Sequence, residues 1–248
     1  MSKNVHPYAH RLVILRGWKS RWFADNQQYK DYLKADVLLR GYLKKRLRGL
    51  YVSLLEIERG QKATRIAIHT SRPGMIIGRS GEGAIKIKED IMRYMRDNAI
   101  TIPKELKLDI LEVTNPDADA SIVAYSVAEG IEKRLPFRRV LKQTIEKVMA
   151  ARGVQGARIL IGGRLGGTDI ARSEQIKKGS IPLQTFRADI DFARDAARMP
   201  YGAIGIKVWI YRGEIFADKE KTQLESTHTG KGEEKKEYVR RAPRAKQD

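Results

Sequence analysis

Arg72-Pro73-Gly74-Met75-Ile76-Ile77-Gly78-Arg79-Ser80-Gly81-Glu82-Gly83 is the stretch of this chain best suited to holding an anion. Its glycines leave no Cβ in the way, so a phosphate can approach the backbone closely. The spacing of Ala84, Ile87, Ile91 and Met95 predicts an amphipathic helix just after the loop. The first N–H groups and the dipole of such a helix favour negative charge. Arg79 adds a cation. The inner Gly78-Arg79-Ser80-Gly81 is not specific alone, because an ordinary strand-to-helix turn has the same composition. Two better-defined phosphate loops fail on spacing. The Walker loop needs four residues between its glycines and a lysine, and this run has three and Arg79. The dinucleotide fingerprint is Gly-x-Gly-x-x-Gly, whereas this run reads Gly-x-x-Gly-x-Gly.

Three further basic sets bear on the same chemistry. Arg40, Lys44 and Arg48 form a stripe on a helix predicted over 27–48, beside the apolar stripe Leu39, Leu43 and Leu47. A solvated face and a phosphate contact are both open readings of it. Arg138, Arg139 and Lys142 flank one exposed strip of a helix predicted over 137–152, with Leu141, Ile145 and Val148 inward. Few acids lie nearby, which favours contact with a polyanion. Arg164 and Arg172 sit in the glycine-rich run after residue 162. Catalytic sets are poor: the histidines are His6, His10, His69 and His228, with no His-Glu-x-x-His and no Gly-x-Ser-x-Gly. The expectation is no enzyme, no metal site and no cofactor.

The elements that must position these residues read as follows. Residues 1–24 are a basic, aromatic arm with a short strand at Arg11–Leu15. Trp18 and Trp22 either stack on bases or dock the arm on its own domain, and docking is preferred. Strands are predicted at 51–58 and 64–70, around the turn Arg59-Gly60-Gln61, and at 106–113. Asn115-Pro116-Asp117 predicts a helix start, with Val123, Val127 and Ile131 facing inward as far as Leu135. Strands at 157–162, 182–194 and 203–211 follow, with Gly162–Gly179 as loop and a short helical turn. The order is helix-strand-strand-helix-strand, then helix-helix-strand-strand-strand. That order argues for two α+β domains meeting near residue 113 and against a doubly wound sheet.

Composition points the same way. The 248 residues carry 49 Lys and Arg against 30 Asp and Glu, a net charge of +19, which suits a polyanionic partner. The charge is uneven: residues 1–50 hold twelve basic residues and three Asp, net +9, while 217–248 hold nine basic and seven acidic. No run is long and apolar enough for a membrane helix. Cysteine is absent, which excludes disulfides and fits a reducing compartment. The polar 217–248 stretch reads as a disordered tail.

Val5-His6-Pro7, Trp18-Lys19-Ser20-Arg21-Trp22-Phe23, Arg72–Gly78, Phe137-Arg138-Arg139, Gly163-Arg164-Leu165-Gly166-Gly167, Arg187–Asp191 and Gly202–Ile210 occur in that order. Together they resemble the bacterial family of small-subunit ribosomal protein three over roughly residues 1–215. The resemblance implies an α+β fold: a type II KH domain, then a second α+β domain with an antiparallel or mixed sheet and two helices. The segments would be an arm at 1–24, the KH domain at 25–113, the second domain at 114–213 and the tail at 214–248. KH domains hold single-stranded RNA with a Gly-x-x-Gly loop, here Gly78, Arg79, Ser80 and Gly81.

The resemblance further implies a structural, non-enzymatic constituent of the small ribosomal subunit, working in the cytoplasm. Its partners would be small-subunit rRNA, mRNA and neighbouring head proteins. Arg138, Arg139 and Lys142 match the basic helix that lines the channel through which mRNA enters, where the family helps open structured messages without ATP. Arg40, Lys44, Arg48, Arg164 and Arg172 are further expected RNA contacts. Two positions depart from the family. The loop often reads Gly-Lys-Lys-Gly there, one charge more than here, and the position of Gln143 is often basic.

Overall fold

The fold was examined in a computed structural model, which describes residues 5–60, 63–98, 100 and 105–216. The described residues up to Glu214 form one compact unit. The expected tail at 217–248 lies outside the described residues.

The first half is built on α2 (Asn26–Arg46), β2 (Val52–Arg59), β3 (Ala63–Thr70), α3 (Pro73–Ile77), α4 (Glu82–Asp97) and β4 (Glu105–Glu112), preceded by α1 (Pro7–His10) and β1 (Ser20–Arg21). Leu39, Leu43 and Leu47 recur every fourth residue and are buried against Ile66, Ile68, Ile87, Ile91 and Met95. β2 and β3 are antiparallel, and β4 lies parallel to β3 with Ile66 opposite Leu108. A parallel pair needs a crossover, and α3 and α4 supply it. The result is an N-terminal KH domain whose helices cover one face of the sheet β1-β2-β3-β4.

The second domain holds α5 (Ala120–Glu132), α6 (Phe137–Ala150), β5 (Gly156–Gly163), β6 (Arg172–Gly179), β7 (Ala188–Met199) and β8 (Gly202–Glu214). Its sheet is fully antiparallel, in the order β6-β5-β8-β7. Ile204, Ile206, Val208 and Ile210 alternate onto the face that α5 and α6 cover, with Ile159, Ile161, Val127 and Leu141. A Cβ on Gly130 would stand 3.1 Å from Val140, so this glycine lets the two helices pack closely. Ile190, Trp209 and Tyr211 form a smaller cluster on other sides of the sheet strands, with Phe192 and Leu160 packed against it.

Four local expectations change. The strand at Arg11–Leu15 is instead α1 followed by turns, with Leu12 and Arg16 making one isolated bridge. Pro7 opens α1, and the fully buried Arg11 then gathers the carbonyls of Pro7, Leu183, Thr185 and Ala188, which curls the chain. Asn115 begins only a 3-10 turn, Pro116–Ala118. α5 is capped by Asp119, whose carboxylate accepts from the N–H groups of Ser121 at 2.9 Å and Ile122 at 3.1 Å. Half of the predicted Gly162–Gly179 loop is β6, a charged edge strand paired with β5 from Gly163–Arg172 to Gly156–Gly179. The strand expected at 182–194 runs instead from Ala188 to Met199, because Arg11 takes the carbonyls of residues 182, 183 and 185.

Candidate nucleic-acid interface

The glycine loop is shaped by sterics. Thr70 ends β3; its hydroxyl donates to the Leu50 carbonyl at 2.7 Å and accepts from the Arg72 N–H. α3 stops at Gly78, with φ 71°, and Gly81 has φ 83°, so both adopt backbone that side chains resist. Ser80 also lies in this region, at φ 53°. Arg79 and Ser80 are exposed. Met75, Ile77 and Ile85 stand half exposed around them, an apolar shelf beside the loop. A small cleft of about 220 Å³ lies behind, lined by Arg46, Lys86 and Met75 among others. Lys86 therefore joins Arg79 here, and Arg46 does so while paired with Asp90 at 3.4 Å. Their signal in the sequence was weak: Arg46 is one of several cations in Lys44-Lys45-Arg46-Leu47-Arg48, and Lys86 lies between apolar residues of α4, so neither is marked out by a motif.

The stripe Arg40, Lys44 and Arg48 is divided by the fold. Arg40 donates to the carbonyls of Leu55 at 2.6 Å and Lys19 at 3.0 Å, and to the Ser20 hydroxyl at 2.7 Å. Those bonds tie the arm to the KH domain and occupy the guanidinium that was expected to meet phosphate. Arg48 is ion-paired with Glu132 of α5. Lys44 is exposed beside Lys45 and has no ion-pair partner among the described residues.

The α6 strip keeps its charge outward. Arg138, Arg139 and Lys142 are all exposed, while Val140, Leu141, Ile145 and Val148 are buried beneath them. Arg138 forks onto Glu174 of β6 at 3.2 and 3.0 Å. That bond raises the Arg138 pKa and lowers that of Glu174. Among the described residues, Arg139 and Lys142 have no ion-pair partner within 4.0 Å. Arg172 opens β6 with its guanidinium 5.8 Å from the Phe137 ring, next to this strip. Arg164 is turned inward: it bonds the carbonyls of Thr168 at 2.9 Å and Tyr201 at 3.3 Å, and pairs with Asp169. It shapes the glycine-rich loop, leaving its outer edge to solvent.

A polar seam joins the two domains. Tyr51 donates to Glu129, Ser53 to Asp119, and Arg48 to Glu132. Burial first, and then the neighbouring Asp191, raise the Asp119 pKa above its ordinary value. Among the described residues no group of three or more His, Cys, Asp or Glu could hold a metal ion, and no helix is long and apolar enough to cross a membrane.

Comparison with known proteins decides the family. Residues 38–118 match the KH domain, and residues 127–210 match "Ribosomal protein S3, C-terminal domain". The small ribosomal subunit protein uS3 of Clostridium novyi is 42% identical over 219 residues, 88% of this chain and 96% of that one. The chain belongs to the uS3 family. The uS3 of Caldicellulosiruptor saccharolyticus is 41% identical with the same coverage, and uS3c of Guillardia theta is 41% identical over 86% of this chain and 96% of its own. Family members are ribosomal structural proteins, not enzymes, so the glycine loops of this uS3 chain are not nucleotide-hydrolysis machinery. The matched residues run through both the Gly78–Gly81 loop and the α6 strip.

Proposed function

We propose that this chain is a structural constituent of the small ribosomal subunit, in the head, where it binds rRNA and contacts neighbouring ribosomal proteins. Membership of the uS3 family supports that reading. The arm and KH domain, residues 1–113, would serve mainly rRNA. Lys44, Arg79 and Lys86 are among the exposed cations there that have no ion-pair partner among the described residues, whereas Arg46 is paired with Asp90 at 3.4 Å. The second domain, residues 114–213, would face mRNA where it enters, and α6 would help open structured messages without ATP. One observation carries this finer part: Arg139 and Lys142 stand exposed, without an ion-pair partner among the described residues, on a helix whose other face is buried. Charges held that way meet a phosphate backbone without first breaking a bond. Gln143 is exposed beside them, so the strip lacks a further charge at that position.

Replacing Arg138, Arg139 and Lys142 together with Ala tests this. Exposed substitutions shift stability by about 0.5 kcal/mol or less each, so assembly should be preserved. Ribosomes carrying the variant should slow on structured mRNA and keep their rate on unstructured mRNA. Equal slowing on both would remove the channel role while leaving the rRNA role intact.

A further inference from the structure

A cleft of about 510 Å³ opens next to the α6 strip, between the α5–α6 turn and the β7–β8 hairpin. Small-ligand sites occupy roughly 300–1,000 Å³, so its size suits one flat ring system with its attached group. Arg134, Leu135, Pro136, Phe137, Met199 and Tyr201 border it. Among the described residues no acidic side chain does. Leu135 is half exposed, although it lies between a buried helix and a proline and had apolar neighbours available.

Two features set this cleft apart from a gap between elements. Both of its aromatic rings lie beside guanidinium groups: Arg164 is 5.8 Å from the Tyr201 ring, and Arg138 and Arg172 are 5.6 and 5.8 Å from Phe137. Arg134, on the rim, has φ 61°, a left-handed conformation that a non-glycine residue rarely keeps without compensation. That turn swings the chain so that Arg134 and Leu135 reach the cleft mouth before Pro136 starts α6. Glu174, Asp169 and Glu132 are each already paired, with Arg138, Arg164 and Arg48.

An apolar, aromatic-walled recess with Arg134 on its rim and Arg172 beside its Phe137 ring fits an unstacked nucleobase whose phosphates run along the cations of the neighbouring α6 strip. We infer that this cleft takes one base of single-stranded RNA, adjacent to the phosphate contacts of Arg139 and Lys142. This rests on the reading of α6 as an mRNA contact and adds to it a site for the base. An apolar peptide of a neighbouring protein would fill the same volume but gains nothing from Arg134 on the rim or from the α6 cations beside it.

The full-length chain should be compared for binding to a short single-stranded RNA and to an abasic chain of equal length, at one salt concentration. Pairing Leu135→Ser with Tyr201→Ala should reduce the preference for the intact RNA about ten-fold, the effect of losing one stacked base. Affinity for the abasic chain should not change. Tyr201→Phe, which keeps the ring, should behave as the parent and controls for folding of the hairpin. An unchanged preference in the double variant overturns the site. The Arg138, Arg139 and Lys142 triple variant separates the two ideas, because it should weaken both RNAs alike. In whole subunits, 4-thiouridine within bound mRNA should cross-link to the segments 134–137 or 199–204. Labelling of neither segment overturns the inference even if the triple variant slows structured messages.

Discussion

Single residues on this chain are cations in two different states. Arg11, Arg40, Arg48 and Arg164 have their donors filled by carbonyls and carboxylates, whereas Arg139 and Lys142 stand open. Arg138 lies between these states, exposed yet forked onto Glu174. A phosphate arriving at Arg138 must compete with that carboxylate. Glu174→Gln removes the competitor's charge and the local repulsion of RNA together. The free chain should then bind single-stranded RNA more tightly at low salt. The plot of log affinity against log salt should steepen by about one phosphate contact, since each phosphate neutralised releases counterions. Adding Arg138→Ala to that variant should return the slope to its starting value. A slope that Glu174→Gln leaves unchanged would mean that Arg138 meets no phosphate.

Elements were legible where a periodic pattern was strong, and obscure where one buried polar side chain decided the local path. The four-residue spacing of leucines located α2, and strict alternation located β3 and β8, because burial on one face leaves its period in the sequence. β6 was missed because an edge strand with polar and charged residues on both sides has little apolar alternation to read. The arm was misread as a strand because Arg11 is drawn to carbonyls more than 170 positions away, which no local pattern encodes. The candidate site divided in the same way. The loop and the α6 strip stood out in the sequence, but the sequence does not show that Arg40 and Arg164 are occupied. Three glycines of the loop region turn this into a stability series. Gly83 needs its missing Cβ, which would lie 2.5 Å from the Ile76 carbonyl oxygen and 2.8 Å from that of Ile77. Gly83→Ala must push α3 from α4 and should cost about 1–3 kcal/mol. Gly81 has open space around it but a φ of 83°, so Gly81→Ala should cost about 1–2 kcal/mol through the backbone alone. Gly74 is helical with nothing within 4 Å, and Gly74→Ala should be neutral or stabilise by about 0.4–1 kcal/mol. Urea unfolding of the three variants would rank them, and a Gly83→Ala variant as stable as Gly74→Ala would contradict the crossing geometry.

The whole molecule is held together by its arm as well as by the polar seam. α1 lies on the second domain, where His6 meets Phe192 edge-on, His10 stacks on Phe186, and Arg16 pairs with Asp189 at 2.6 Å. A few residues later the chain adds β1 to the KH sheet, parallel to β2, with the Ile57 N–H donating to the Lys19 carbonyl. One short segment thus straps both domains, and its inner end depends on a neutral histidine. The His6 Nδ1 accepts from the Ala9 N–H, which a protonated ring cannot do. Burial foremost, and then the charges of Arg194 and Lys19, lower the His6 pKa in the folded chain. In the unfolded chain it titrates near about 6.5. As pH falls below that value the unfolded chain takes the proton first, so stability contributed by His6 declines until the folded pKa is passed. Hydrogen-exchange protection factors of residues 5–17 in the free chain, the intrinsic rate at each pH divided by the observed one, should therefore fall on mild acidification while those of α5 and β8 hold. Arg11→Ala should produce the same loosening at neutral pH, because carbonyls of both Leu183 and Thr185 lose their donor. Trp18→Ala, at a ring that is 58% exposed, should not. If the arm keeps one protection factor across this pH range, His6 is not what fastens it.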